Sequence, residues 1–207
     1  MFLGYQNGKI KFYTEQPLDH TLYPIDKVEE TDLEYVLDGD EYVLNDEIYK
    51  AKKAQEIQKH LVEYNYEKKA QKAYGGILIN ETYLFETNGT SQSMITASLI
   101  GLQNAPDETT LNWKMYKDNQ PIVVPLTKIQ LAQLFNFAID MINKSFEVEG
   151  IRNNELTTAT VENLNDTTWV EEYKNATDLA FEEINNKIEV VLVQPPVEEE
   201  ISGEQAS

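Results

Sequence analysis

The 207-residue chain has no cysteine, only two histidines, and 17 lysines and arginines against 36 aspartates and glutamates. Without cysteine there is no disulfide framework, no thiolate zinc site and no cysteine nucleophile. His20 and His60 are the only imidazoles, too few and too far apart in sequence for a histidine-based metal site or triad. The formal charge of −19 argues against nucleic acid as a partner, because binding phosphates requires clustered lysine and arginine. The longest apolar runs, such as 122–126 and 190–193, are far below the roughly 20 residues of a membrane span. The first nine residues lack the basic and apolar blocks of a signal peptide. The expectation is a soluble protein with no membrane partner.

What is present is an uneven distribution of charge. Residues 1–45 hold ten acids and three lysines, whereas residues 46–74 hold five acids and seven lysines. Four more glutamates, with no base, lie in 194–207. The sign change near Asn45 coincides with a change of periodicity and marks a boundary.

Residues 1–45 read as a small acidic β module. Two strand-like runs flank Asn7-Gly8, the pair that supplies the positive φ angles of a tight hairpin. A second pair, 33–37 and 41–44, flanks Asp38-Gly39-Asp40. The turn-rich stretch 17–32 is expected to wrap the two hairpins together.

Residues 46–74 read as a linking helix that stops at Gly75-Gly76. Its thin stripe of Ala54, Ile57, Leu61 and Tyr64 is that of a short coiled coil or of a solvated connector. Its lysines (50, 52, 53, 59, 68, 69 and 72) read as a solvated surface.

Residues 75–193 form the expected main domain. Residues 77–79 and 83–85 make one hairpin, and 111–116 with 121–124 make another around Asp118-Asn119. Between them a helix opens with Thr90 or Ser91 as its cap and runs to about Gln103. The clearest helix follows Thr127 and shows Leu131, Leu134, Phe135, Ala138, Met141, Ile142 and Phe146 on one face. Order is expected to lapse around 163–166. A last helix over 168–191 carries the stripe Trp169, Tyr173, Ala176, Ala180, Ile184, Ile188 and Val191. The tail 194–207 reads as disordered. The whole is an α+β protein, and the helices 46–73 and 168–191 are candidate seams for a homo-oligomer.

Catalytic spacing is not evident. Asp38-Gly39-Asp40-Glu41 lacks the ligand pattern of a calcium loop, and a hairpin turn explains it. Gly75-Gly76 has no phosphate-loop frame around it. Trp113 alternates with Leu111 and Met115, which places it on an inward strand face. No catalytic, cofactor-binding or metal residue is assigned.

Two stretches carry a resemblance. Residues 2–13 with 35–44 resemble the N-terminal segment of small tail-associated and tail-fibre-assembly proteins of phages and prophages of gut bacteria. Residues 77–188 resemble a domain of unknown function that recurs in phage tail and baseplate proteins. The matching features are the 77–85 hairpin, Thr90 to Ile95, Asn112-Trp113-Lys114, Val123 to Thr127 and the Trp169-containing helix. The resemblance implies a non-enzymatic protein without cofactors that binds other tail or fibre proteins, as a structural subunit or an assembly chaperone. It would reside in the host cytoplasm during assembly or in the virion tail. The acidity also leaves open a carboxylate-based glycan hydrolase, which needs two facing acids, and an acidic mimic of DNA.

Overall fold

The computed structural model describes residues 1–19 and 21–192. His20 and residues 193–207 lie outside them, and with them the tail 194–207 for which disorder was expected. The described residues pack as two compact units: 1–61 with 158–173, and 62–157 with those from Lys174 onward. The fold is α+β.

The first unit starts from its turns. Asn7 and Gly8 both have positive φ (54° and 76°), and the strands they join are β1 (Phe2–Gln6) and β2 (Lys9–Thr14). A third strand, β3 (Lys27–Glu30), pairs antiparallel with the other side of β1. The sequence reading had this segment as turn. Three of its four side chains are charged and none is fully buried, so no alternation marks it, and only pairing with β1 makes it a strand. β4 (Tyr35–Asp38) and β5 (Glu41–Leu44) form the second hairpin. Tyr13 of β2 packs against Tyr35 and Tyr42, with ring centroids 5.5 and 5.9 Å away. Lys11 and Lys9 reach Asp40 and Glu41 at 2.6 and 3.1 Å. Asp40 and Glu41 thus serve as ion-pair partners of a hairpin turn. Leu3, Ile25, Ala54, Leu61, Leu164 and Tyr173 are the buried apolar side chains of this unit.

Helix α1 runs Asp46–Tyr74, with Asp46 and Glu47 in its first turn and Lys72 in its last, both matched to the helix dipole. Its buried column is Ala54, Leu61, Asn65, Lys69 and Ala73. Lys69, expected on a solvated surface, is therefore a core residue, and the buried face lies one residue on from the Tyr64–Lys68 stripe.

The second unit is built on a five-stranded sheet in the order β10-β6-β7-β8-β9. β6 (Ile77–Ile79) and β7 (Tyr83–Phe85) form one hairpin. β8 (Thr110–Lys117) and β9 (Gln120–Thr127) form the other, closed by Asp118 and Asn119, both at positive φ. Gly76, at φ 98°, admits no side chain: a Cβ there would come within 2.9 Å of the Phe85 carbonyl.

Helix α2 (Gly89–Gly101) is capped by Asn88, whose side chain accepts from the Ser91 amide. This replaces the expected Thr90 or Ser91 cap, so the helix starts earlier than the sequence reading had it. α3 (Lys128–Thr158) opens with a reciprocal cap, in which Gln130 N donates to Thr127 Oγ1 and Thr127 N to Gln130 Oε1. Trp113 stacks on Phe85 at 5.9 Å and is buried with Ile77, Ile79, Met115, Leu126 and, from α3, Leu131, Leu134 and Met141.

Residues 163–166, expected to lose order, include the end of α4 (Val161–Asn165), which is set by a capping box between Thr160 and Asn163. The last helix, α5, covers Thr167–Glu182 only. Lys187 and Ile188 form β10, parallel to β6. Ile184 and Ile188 keep helical spacing, but α5 stops at Glu182: Ile184 is buried in the turn that follows, and the open edge of β6 captures Ile188. The apolar stripe over 168–191 is thus divided between a helix and a strand, and a continuous helical seam for oligomerisation does not exist there.

Candidate functional site

Helix α2 is apolar on more than one side. Met94-Ile95 and Leu99-Ile100 are adjacent doublets, and two doublets five residues apart cannot share one face. Only Ser91 and Ile95 are buried. A helix that is hydrophobic all round is ordinarily covered all round, yet Met94 is exposed and Ile100 is 67% exposed.

Both flanks of α2 open onto concave surfaces. On one, Thr96, Leu99 and Ile100 meet Phe135 of α3 around a hollow of ≈ 370 Å³. From Phe135 the uncovered side of α3 continues through Ile139, Ile142 and Phe146, one ribbon at helical spacing. Ile139 is 40% and Phe146 47% exposed. The sequence reading placed Phe135, Ile142 and Phe146 on the buried face. The buried set is instead Leu131, Leu134, Ala138, Met141, Ser145, Arg152 and Leu156, so these three lie along its margin.

On the other flank, Ser91, Met94 and Ser98 face Leu111 and Trp113 of β8 across a groove of ≈ 820 Å³. A further cavity of ≈ 690 Å³ lies between Ile122–Pro125 of β9 and residues 189–192. Each of these two cavities is lined by one carboxylate, Glu86 in the first and Glu189 in the second.

Charged groups gather elsewhere, on the second-unit parts of α1 and α5. Asp178 accepts from Tyr64 at 2.6 Å and pairs with Lys68 at 2.8 Å. Burial acts to raise the Asp178 pKa, but these two partners prevail and hold the carboxyl below its usual range. Burial and the Asp178 bond push Tyr64 up, and the same carboxylate raises Lys68. Lys72, one turn on, is lowered by burial. Asp178, Tyr64 and Lys68 interlock as a structural ion-pair and hydrogen-bond set, with Lys72 beside Glu182 one turn away.

Of the residues weighed from sequence, Trp113 is in the core and His60 is on the exposed side of α1. Asp38, Asp40 and Glu41 lie at a hairpin end, and no group of three or more His, Asp or Glu among the described residues is placed to hold a metal. No helix among the described residues is long and apolar enough to cross a membrane. The flanks of α2 were not assigned from sequence, although the two apolar doublets were the signal for them. No family model matches the chain, and no curated protein or solved structure matches it either.

Proposed function

We propose that this is a non-enzymatic protein-binding component of a phage tail, acting as a structural subunit or as an assembly chaperone for a fibre. The observation that carries the binding role is the apolar ribbon from Ile100 through Phe135 and Ile139 to Phe146. Exposed apolar side chains scattered singly are ordinary, whereas a contiguous ribbon on two packed helices has the character of an interface. The tail context is supported by the resemblance of residues 2–13, 35–44 and 77–188 to tail-associated proteins.

The test is co-expression with neighbouring tail proteins, followed by affinity measurement on the purified pair. Ile100→Glu combined with Ile139→Glu replaces exposed residues, so the fold should survive while affinity drops at least tenfold. Unchanged affinity would remove the ribbon as the interface. Mass spectrometry of purified virions then separates the two roles: a structural subunit is retained in the particle and a chaperone is not.

A further inference from the structure

The sheet of the second unit treats its hydrogen-bonding edges unequally. β9 carries Pro121 and Pro125, paired with Tyr116 and Asn112 of β8. A proline nitrogen has no hydrogen, so the main-chain groups at these positions point away from β8, to the outer side of β9. Val123, opposite Lys114 and between the prolines, turns its N–H to the same side, and the Thr127 N–H is taken by the Gln130 side chain. Two prolines and a capped amide leave Val123 as the one outward donor of four positions, so this edge is largely protected against another strand.

The same register fixes the other side of β8. In an antiparallel pair, residues opposite one another at a non-hydrogen-bonded position both turn their main-chain groups outward. Tyr116 and Asn112 stand opposite the prolines, and alternation adds Lys114. Their N–H and C=O groups therefore point away from β9, toward β7. β7 meets them once, at Leu84–Tyr116, because the chain then leaves the sheet through Thr87 and Asn88 to begin α2. At Lys114 and Asn112 no described strand stands opposite. The groove of ≈ 820 Å³ beside α2 lies along this stretch.

We propose that this groove takes an extended peptide segment of a partner protein as an additional strand on β8. Lengths agree. From Ser91 to Ser98 α2 advances about 10 Å, and Leu111 to Lys114 spans about 10 Å, room for three or four extended residues. Asn112 and Lys114 offer donor and acceptor pairs about 7 Å apart, the repeat of a β ladder. The side chains of the added strand alternate, one set to solvent and one set onto Met94, Leu111 and the edge of Trp113, which favours apolar or small residues at every second position. Charge selects a neutral occupant. Glu86 and Lys114 are the one acid and one base lining the slot, so it carries no net charge in a chain of −19.

This inference is independent of the tail reading and of the α2–α3 ribbon, which lies on the opposite flank of α2. The probe is an acetylated and amidated six-residue peptide alternating threonine and valine, titrated into the full-length protein with amide resonances followed by NMR. In the free protein the Asn112 and Lys114 amides should exchange quickly while Trp113 and Met115 are protected. Peptide should shift and protect Asn112 and Lys114. N-methylating the peptide at its edge-facing positions should abolish binding, and methylating the alternate positions should spare it. Lys114→Pro removes one groove-facing donor without touching the β8–β9 ladder, and Met94→Lys places a charge in the slot from an exposed position. Each should lower affinity at least tenfold, and Ile100→Glu with Ile139→Glu should not. Asn112 and Lys114 protected in the free protein, no binding at millimolar peptide, or equal affinity for both methylated forms would each overturn the proposal.

Discussion

Lys69 shows how much a single residue can depend on its surroundings. The residue is 6% exposed, and its ammonium pairs with Glu149 at 2.9 Å and lies 4.2 Å from the Tyr66 ring and 4.5 Å from that of Phe146. Desolvating a pair costs much of what its attraction returns, whereas removing one partner strands the other charge. Lys69→Ala is therefore expected to cost about 3 kcal/mol. Lys69→Met with Glu149→Leu should fall within about 1 kcal/mol of the parent, or above it. Denaturant unfolding of the four proteins of that cycle gives the coupling directly, and additive single effects would show that the pair contributes nothing as a pair. At Tyr5 the hydroxyl donates to Glu29 at 2.6 Å, and this bond, with burial, pushes the tyrosine pKa up to about 12 from 10.0. The folded state thus holds the proton more tightly than the unfolded chain. The contribution is complete below pH 10.0 and disappears as pH rises to about 12. Discounted for solvent screening it is about 0.5 kcal/mol. Tyr5→Phe should flatten the loss of stability over that alkaline window in thermal melts, and an unaltered alkaline limb would dismiss the bond.

At the scale of elements, a side-chain clamp helps to hold the end of the described chain. Asn80 Nδ2 donates to the Val190 carbonyl at 2.7 Å, and the Val190 amide donates to Asn80 Oδ1 at 2.8 Å, so a side-chain amide pairs with residue 190 as a strand would. Asn80 itself sits at φ 51°, so Asn80→Gly keeps the backbone and removes only the clamp. The expected cost is about 1–2 kcal/mol, with hydrogen-exchange protection lost at the Val190 amide; protection retained there would show that other contacts hold the segment. This region also marks the limit of what the sequence makes legible. Asn7-Gly8, Asp118-Asn119 and the Thr127–Gln130 cap are local chemistry, and the sequence reading located those turns and that helix start correctly. Ile184, Ile188 and Val191 are spaced for a helix face, but the helix stops before them, and Ile188 becomes strand because of an edge of β6 more than a hundred residues earlier. The groove beside β8 is illegible for the same reason. It exists because β7 stops after one pair with β8, a fact of pairing rather than of composition. The ribbon on α2 was closer to legible, since adjacent apolar doublets in one helix already require two covered sides.

At the scale of the whole molecule the relevant quantity is the net charge of −19. Many of its acids are already engaged: Asp40 with Lys11, Glu34 with Lys52, Asp178 with Lys68 and Glu149 with Lys69. Those contacts are attractive, and salt weakens the exposed ones. The uncompensated acids repel over longer distances, and salt relieves that repulsion as the Debye length shortens to about 10 Å at 0.1 M. The two effects have opposite signs, and the excess of 36 acids over 17 bases decides between them. Raising sodium chloride from low to physiological concentration should therefore increase the melting temperature. The gain should be largest below about 0.1 M, where the screening length changes most. Differential scanning calorimetry across a salt series at neutral pH reads this out. A melting temperature that falls with added salt would mean that the paired acids, and not the excess ones, dominate the electrostatics of the fold.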